Sequence, residues 1–363
     1  MTASRRPRAI VVGATFGAVY AEALAAADSP VELVGLASTG SAASAALADH
    51  LGVALYPDLD GLPRVDVAFV VVRSGVVGGD GAQIAERLLM RGIHVMQEQP
   101  VHADEILSLL RTAKANSACY AVNDFYSRIA PVRQFIAAAK GLDKRARVRY
   151  VHARSSIHVV YPLFAILSHI VGPLTPARIV VPRERGSGPF AAGRLVLGDV
   201  TVDLLVQNEL CPSDPDNHAR LLHAITIGSD AGELVLTHTH GSTRWHPRPR
   251  AEAAEADWPI SELVGVDFEP TTAIVRNVLW PQAVRLAAAD FIESIRSSAP
   301  LVNQRFIRAT RLWWEFTSAL GPVDLIEDQA VEHVSAADLL GPSQGAFPHD
   351  PCEIEAVNPL HHR

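Results

Sequence analysis

Cysteine is scarce in this chain. It occurs at three of the 363 positions, and Cys119, Cys211 and Cys352 lie too far apart to match a metal-binding spacing. So few thiols argue against a disulfide scaffold and predict a reducing compartment. Long apolar runs are also missing: none approaches the roughly 18 residues of a membrane span, and the short run 9–12 ends at a glycine rather than continuing as a signal peptide. We therefore expect a cytoplasmic protein.

Positive charge is not in excess either. The net charge is -7, which argues against a general nucleic-acid binder, because such a protein needs a basic face to displace counterions from phosphates. Arg5, Arg6 and Arg8 are too few to change this and indicate a short arm before the first strand. Hydrophobic residues make up 48% and charged residues 20%, a balance typical of a globular protein large enough for two domains.

The order of predicted elements divides the chain. The first part alternates strands and helices, with apolar strand patterns at 9–12, 31–36, 65–72, 94–97 and 119–122. This alternation predicts a doubly wound parallel sheet. Beyond residue 145 short strands follow one another with turns between them, which predicts an α+β domain with a largely antiparallel open sheet.

We place the domain boundaries on this change of pattern. Residues 1–125 form the predicted Rossmann domain, 126–335 the predicted substrate and dimerisation domain, and 336–363 a tail that we expect to be poorly ordered. The stretch 245–269 is rich in proline, alanine and acidic residues and is predicted to be a long surface loop.

A glycine-containing turn follows the first predicted strand. It consists of Gly13, Ala14, Thr15, Phe16 and Gly17, and a helix follows it. Glycine lets the backbone approach a pyrophosphate, and a helix N-terminus attracts the anion, so the turn is a candidate dinucleotide site. The spacing is one residue short of the usual G-x-G-x-x-G pattern. The alternative is a packing turn in an α/β domain that binds something else.

The ends of the next two central strands bear on the cofactor. After the second strand come Ser38 and Thr39, where NAD-preferring sites carry an acid. Hydroxyls can donate to a 2′-phosphate, which favours NADPH, although Ser38 could instead cap the following helix. Arg73 and Ser74 follow the valine-rich strand; the arginine could contact cofactor phosphate or an acidic carrier, or be a solvated edge residue.

Several short motifs together resemble one known family. The sequence Gln97-Glu98-Gln99-Pro100 is similar to the Glu-Lys-Pro strand end of the glucose–fructose oxidoreductase/inositol dehydrogenase (Gfo/Idh/MocA) family, with Gln99 at the lysine position. The other motifs are Gly13–Gly17, Gly92–Glu98, Val122–Tyr126, Thr239–Gly241 with Trp245, and Leu312–Glu315. Over residues 8–325 the chain resembles the thiazolinyl imide (imine) reductases of nonribosomal siderophore assembly, the yersiniabactin and pyochelin type.

This resemblance implies a reaction, a cofactor and partners. Such reductases transfer hydride from NADPH to the C=N carbon of a thiazoline tethered to a carrier domain of a peptide synthetase, giving a thiazolidine. A homodimer formed through the open sheet is also implied.

The resemblance also implies site residues. Glu98 and Gln99 would lie at the cofactor, and Gln99, Tyr126 and His102 would act on the substrate. Glutamine can orient or polarise but cannot titrate, so Tyr126 is the preferred proton donor. His102 could donate a proton, directly or through water, or merely cap the helix that starts there. A bound water could also protonate the nitrogen.

Three alternatives remain. A sugar or cyclitol dehydrogenase is disfavoured by Gln99 and because His169 lacks the expected aspartates on its helix, so we interpret it as a core or pocket residue. A non-catalytic NADP-binding sensor stays open because of Gln99. His238, His240 and His246 could bind zinc, but no acidic residue or cysteine is adjacent to them.

Overall fold

Two sheets organise the molecule in a computed structural model that describes residues 5–74, 78–182, 186, 188–214, 218–249, 258–328 and 334–340. The first sheet has six parallel strands in the order β3-β2-β1-β4-β5-β6. Its strands are β1 (Arg8–Val12), β2 (Glu32–Ala37), β3 (Ala54–Tyr56), β4 (Val67–Val70), β5 (His94–Glu98) and β6 (Tyr120–Asn123). The predicted doubly wound sheet is confirmed.

Four helices connect these strands: α1 (Gly17–Ala25), α2 (Ala42–Leu51), α3 (Gly81–Met90) and α4 (Ala103–Ala115). The central strands are apolar on both faces because helices cover both sides; β4 is fully buried. It spans 67–70, shorter than the predicted strand over 65–72, although the flanking residues keep bonds to β1: the N–H of Asp66 donates to the Arg8 carbonyl at 2.9 Å and the N–H of Val71 to the Val12 carbonyl at 2.8 Å. The strand order reverses between β1 and β4, where this type of sheet binds ligands.

The second sheet has eight strands in the order β15-β14-β13-β12-β7-β10-β9-β8. All neighbours are antiparallel except β7 and β10, so the predicted, largely antiparallel sheet is confirmed. Its strands are β7 (Val148–Ser156), β8 (Ala177–Val180), β9 (Phe190–Leu197), β10 (Val200–Gln207), β12 (His223–Ser229), β13 (Gly232–Leu236), β14 (Thr243–Pro247) and β15 (Glu262–Leu263). A two-stranded sheet joins β11 (Glu209–Leu210) to β16 (Asp324–Leu325).

Helices cover one face of this sheet and leave the other open. The helices of this part are α5 (Phe125–Arg128), α6 (Ala130–Asp143), α7 (Val160–Ile170), α8 (Thr272–Ile274), α9 (Trp280–Ser297), α10 (Gln304–Leu320) and α11 (Ala336–Leu340). A 3₁₀ turn, Ile157–Val159, precedes α7, and a π-helical segment, Val275–Leu279, joins α8 to α9. Burial alternates along β9 and β10, as expected for strands with one covered face.

The structure differs from the predicted loop over 245–269 and describes only the start of the predicted tail, 336–363. The predicted loop over 245–269 is wrong in two parts. Residues 245–247 belong to β14, where Trp245 pairs with Leu234 of β13 and half-buries its ring against the core, and 262–263 form β15, which pairs with β14. The predicted tail begins with α11, and its remainder, 341–363, lies outside the described residues. Among the described helices, none is both long and apolar enough to span a membrane.

Candidate active site

The turn after β1 lies at the strand-order reversal. Gly13 has φ +98°, and a Cβ there would lie 2.4 Å from the carbonyl oxygen of Val71, just beyond β4. Its N–H donates to the Ala37 carbonyl at 2.9 Å, which ties the turn to the end of β2. Only glycine fits this close approach. The structure thus brings Gly13, Ala14, Thr15, Phe16 and Gly17 to the N-terminus of α1, as a dinucleotide site requires.

Aromatic rings anchor this turn to the second part of the chain. The Phe16 ring makes edge contacts with Phe125 at 5.5 Å, Trp280 at 5.8 Å and Tyr20 at 6.1 Å between centroids. The first residue of α9 therefore packs against the turn that would hold the cofactor. Aromatic edge contacts of this kind favour a fixed orientation.

Ser38 and Thr39 lie just beyond the carboxyl end of β2. The N–H of Ser38 donates to the Tyr56 carbonyl at 3.0 Å. The N-cap of α2 is Ser41, whose hydroxyl accepts the N–H of Ser44 at 3.2 Å. The alternative that Ser38 caps the helix is therefore wrong. Ser38 is half-buried and Thr39 exposed, so both hydroxyls lie at the edge where a ribose phosphate would be held.

Ser74 secures the loop after β4. It is buried, and its hydroxyl donates to the Pro100 carbonyl. This bond joins the ends of β4 and β5. Arg73 is exposed, and its carbonyl accepts the N–H of Gly81 at 2.9 Å. Ser74 thus joins the two strand ends, and the Arg73 carbonyl closes the loop that leads from β4 to α3.

The side-chain amide of Gln99 lacks a hydrogen-bond partner among the described residues. Both Nε2 and Oε1 are buried, and neither makes a hydrogen bond within the described part of the chain. The Gln99–Pro100 peptide bond is cis. Leaving both ends of a buried amide unpaired is costly, so we expect water or a bound ligand to pair with them. The residues at this edge of the sheet therefore fit a bound cofactor or substrate.

Glu98 belongs to a polar network beneath Gln99. The hydroxyl of Tyr20 and the Nδ2 of Asn123 both donate to Glu98 Oε2, the latter at 3.3 Å, and Asn123 also donates to Tyr20. Burial raises the pKa of Glu98 to about 8, and burial beside this carboxyl raises the pKa of Tyr20 well above its usual range. Glu98 was predicted as a cofactor ligand; its Oε2 is already engaged by these two side chains.

An aspartate–histidine pair stands next to this network. Asp124 Oδ2 lies 3.0 Å from His169 Nε2, although the two residues are 45 positions apart. Asp124 is 6% exposed, and its Oδ1 is buried without a hydrogen-bond partner among the described residues. The His169 side chain is 42% exposed, so it is not the core residue that the sequence allows, and its place in a pocket stays a prediction. Sequence analysis missed Asp124 because it sought the acid on the histidine's own helix.

Register places Gln99 beside Asp124. Glu98 of β5 pairs with Asn123 of β6, so each of these residues is the first beyond a pair of neighbouring strand ends. Their unpartnered atoms, the Gln99 amide and Asp124 Oδ1, therefore lie at the same edge as the glycine turn.

Tyr126 follows on α5 with its ring half-buried. It packs edge-on against His223, with centroids 5.2 Å apart. His223 is fully buried, with Nε2 2.8 Å from the Val159 carbonyl and Nδ1 3.0 Å from Thr239 Oγ1. Burial lowers the pKa of His223 to about 4, so it is neutral at physiological pH. Because a carbonyl only accepts, His223 Nε2 carries the proton.

His102 caps α4. Its Nδ1 accepts the N–H of Asp104 at 3.2 Å, and Glu105 accepts the N–H of His102 at 3.3 Å, which completes a capping box. The ring also packs edge-on against Trp314, with centroids 5.0 Å apart. The capping alternative is confirmed. Its use of Nδ1 as an acceptor leaves Nε2 as the nitrogen for any second role.

Two of the three histidines considered as zinc ligands, His238 and His240, lie near Trp280. The indole N–H of Trp280 donates to His240 Nε2 at 3.1 Å, and His238 Nδ1 accepts the N–H of His240 at 3.3 Å. Burial lowers the pKa of His240 to about 4. In the parts of the chain that the structure describes, no group of three or more His, Cys, Asp or Glu side chains could hold a metal ion. The zinc alternative thus finds no donor set there.

Two stretches of the chain match known protein families. Residues 8–124 match an oxidoreductase family with an NAD-binding Rossmann fold, and residues 146–246 match the C-terminal domain of the Irp3-like thiazolinyl imine reductases. The fold and site thus define an NAD(P)-binding oxidoreductase. The chain belongs to the Gfo/Idh/MocA oxidoreductase family, in the branch with the Irp3-like domain. Among curated proteins, a search found no match.

Solved structures support the fold. UDP-N-acetylglucosamine 3-dehydrogenase GnnA from Acidithiobacillus ferrooxidans is 16% identical with a TM-score of 0.62, over 86% of this chain and 97% of that one. An Agrobacterium radiobacter oxidoreductase, solved with NAD+, L-tartaric acid and magnesium, is 11% identical with a TM-score of 0.65, over 86% of this chain and 96% of that one. A levoglucosan dehydrogenase, solved with NADH and levoglucosan, is 12% identical with a TM-score of 0.63, over 87% of this chain and 98% of that one.

Proposed function

We propose that this protein is an NADPH-dependent reductase of a thiazoline C=N bond in an intermediate tethered to a peptide synthetase carrier domain, giving a thiazolidine. The observation that carries the proposal is the match of residues 146–246 to the thiazolinyl imine reductase C-terminal domain. Gln99 supports it, because an uncharged amide stands where sugar-oxidising relatives use a titrating lysine. The proposed setting is the cytoplasm during siderophore or related metabolite synthesis.

The proposed cofactor is NADPH. The glycine turn and the N-terminus of α1 would hold its pyrophosphate, and Ser38 and Thr39 would donate to its 2′-phosphate. No acidic side chain occupies positions 38 and 39, so nothing there repels that phosphate. When bound, the reduced nicotinamide supplies the hydride for the imine carbon.

The chain's own residues would position the imine and deliver a proton to its nitrogen. The unpartnered amide of Gln99 would hydrogen-bond to the bound molecules and orient them. We propose Tyr126 as the proton donor, since a phenol is protonated at neutral pH and the ring beside it, His223, is neutral. His102 is a further donor candidate through Nε2.

Asp124 and His169 offer a second route for the proton. The Asp124 carboxylate, 3.0 Å from the imidazole, fixes the ring's orientation. The same pair is the observation that keeps the sugar or cyclitol dehydrogenase alternative, because it could act as a base toward an alcohol. A non-catalytic NADP-binding sensor is the remaining alternative.

We also propose that two copies pair through the open face of the eight-stranded sheet. Val180 and Leu205 are exposed there to 41% and 43%, and they line a concavity in the face with a volume of about 920 Å³. Apolar side chains exposed together on a sheet face are typical of an interface.

A turnover assay tests the function. The purified protein is mixed with NADPH and a thioester surrogate carrying a thiazoline, and loss of NADPH and a gain of two hydrogens in the product are measured. We expect thiazoline-dependent oxidation with a preference for NADPH over NADH. Oxidation of a sugar or cyclitol with NADP+ would support the dehydrogenase alternative. Tight NADPH binding without turnover of surrogate or carrier-bound thiazoline would support the sensor.

A further inference from the structure

A second cavity opens at the opposite edge of the parallel sheet from the glycine turn. It has a volume of about 320 Å³. Its floor is formed by the amino ends of β1, β4 and β5, and the last two turns of α9 close one side with Ile292, Ile295 and Arg296. The four rises along β1 from Arg8 to Val12 separate it from the glycine turn by roughly 13 Å. It is therefore distinct from the candidate active site.

Arginine dominates the wall of this cavity. Five of the lining residues are arginines, and the only acidic one is Asp66; the arginines are Arg5, Arg6, Arg8, Arg64 and Arg296. Such a cluster contrasts with the net charge of -7 of the whole chain. The local excess of positive charge is unfavourable unless something neutralises it.

The protein itself does little to neutralise these arginines. Asp66 already accepts the backbone N–H of Arg8 at 2.8 Å, and Arg6 donates to the Ala27 and Ser29 carbonyls at 3.2 and 3.3 Å. Of the ion pairs formed between described residues, none involves an arginine of this cavity. Among the described lining residues, the single carboxylate of Asp66 thus stands against five arginines, and most of the positive charge stays uncompensated.

Arg8 gives the second, independent observation. Its Nε atom is buried and makes no hydrogen bond to any described residue. A guanidinium N–H that is removed from water and left unpaired costs more than most polar groups. Arg8 begins β1, so its backbone is fixed by the sheet.

We propose that this cavity binds a compact, multiply charged phosphate, of the size of phosphate or pyrophosphate. The planar fork of arginine matches phosphate oxygens and pairs with them through two hydrogen bonds. The volume lies at the small end of ligand cavities, so a compact anion fits better than a whole nucleotide. Bound there, the anion joins the arm before β1 to the end of α9, whose other end packs on Phe16.

Thermal unfolding and calorimetry with inorganic pyrophosphate test this site. Both use the full chain with saturating NADPH, so that the glycine turn is occupied, and constant ionic strength. The double variant Arg64→Gln/Arg296→Gln removes two exposed arginines of the cavity. The control, Arg111→Gln/Arg133→Gln, removes two exposed arginines elsewhere and changes the net charge equally.

We expect pyrophosphate to raise the unfolding midpoint of the wild type and of the control. In the cavity variant the dissociation constant rises by roughly tenfold or more, because charge-assisted hydrogen bonds are lost. Sulfate at the same ionic strength tests whether any divalent anion suffices, and an equal response to phosphate, pyrophosphate and sulfate would overturn the assignment to phosphate. The proposal is also overturned if pyrophosphate does not raise the unfolding midpoint of the wild type, or if it stabilises the cavity variant as much as the control. A polyglutamate peptide tests for an acidic protein segment as the ligand, and binding of this peptide but not of phosphate or pyrophosphate would also overturn the proposal.

Discussion

Replacing Glu98 by glutamine should change how stability depends on pH. The substitution keeps the side chain's size and the oxygen that accepts from Tyr20 and Asn123, and removes the ionisable group. In the folded protein burial raises the pKa of Glu98 to about 8 from an ordinary value of 4.5. Between these values the unfolded chain releases the proton while the folded chain keeps it. The free energy of unfolding therefore falls as pH rises through this interval.

The size of the effect follows from the interval. From pH 4.5 to 8, at about 1.4 kcal/mol per pH unit, Glu98 costs the folded state about 5 kcal/mol once both states are ionised. Below pH 4.5 the carboxyl is protonated in both states and the cost disappears. Glu98→Gln should thus be more stable than the wild type at high pH by up to this amount, and lose that advantage on acidification.

Denaturant titrations at a series of pH values measure this. The buried His223 and His240, each with its pKa lowered to about 4, contribute a slope of opposite sign, since they resist protonation that the unfolded chain accepts. That slope is present in both proteins and cancels in the difference between them. Glu86→Gln, an exposed change on α3, serves as the control. A difference between wild type and Glu98→Gln that stays constant from pH 4.5 to 8 would refute the reasoning.

Four further outcomes are expected. Tyr126→Phe lowers kcat by about 10²-fold while the NADPH dissociation constant is little changed, because a proton donor is lost; an unchanged kcat removes Tyr126 from the mechanism. His102→Ala lowers the free energy of unfolding by about 1 kcal/mol through the lost cap, whereas His102→Asn keeps it; equal losses of kcat in both would add a catalytic role, and full activity in His102→Asn would leave only the cap. Ser38→Asp lowers the preference for NADPH over NADH by about tenfold or more, since the acid repels the 2′-phosphate; an unchanged preference contradicts its assignment. Leu205→Arg converts a dimer to a monomer in light scattering; a persisting dimer places the interface elsewhere.

The sequence predicts the parallel sheet because its strands are local and apolar on both faces. The glycine turn is also predictable, since Gly13 stands directly between a strand and a helix, although the structure adds two distant contacts, with Val71 and with the Ala37 carbonyl. The motifs that resemble a known family likewise predict Gln99 and Tyr126 as site residues. These features depend on neighbours close in the chain.

Contacts distant in sequence are what the sequence hides. Asp124 and His169 meet only because β6 ends where α7 passes, and no periodicity records that meeting. Ser41 rather than Ser38 caps α2 because β2 ends at Ala37, four residues before the cap, a detail of geometry rather than composition. Trp245 was assigned to a loop because proline and acidic residues surround it, yet pairing across β13 decides its conformation.

The π-helical segment before Trp280 fixes the rotation of α8, with Ile274, relative to the start of α9, with Trp280. It spans Val275–Leu279, and Pro281 follows without an N–H to continue the ordinary ladder. Each residue added to or removed from a helix rotates everything beyond it by about 100°. Shortening this segment by one residue would turn Ile274 and Val278 relative to Trp280, while Trp280 is held by Phe16 and His240. The number of residues in the π-helical segment, as much as their identity, thus sets which side of that segment faces the glycine turn.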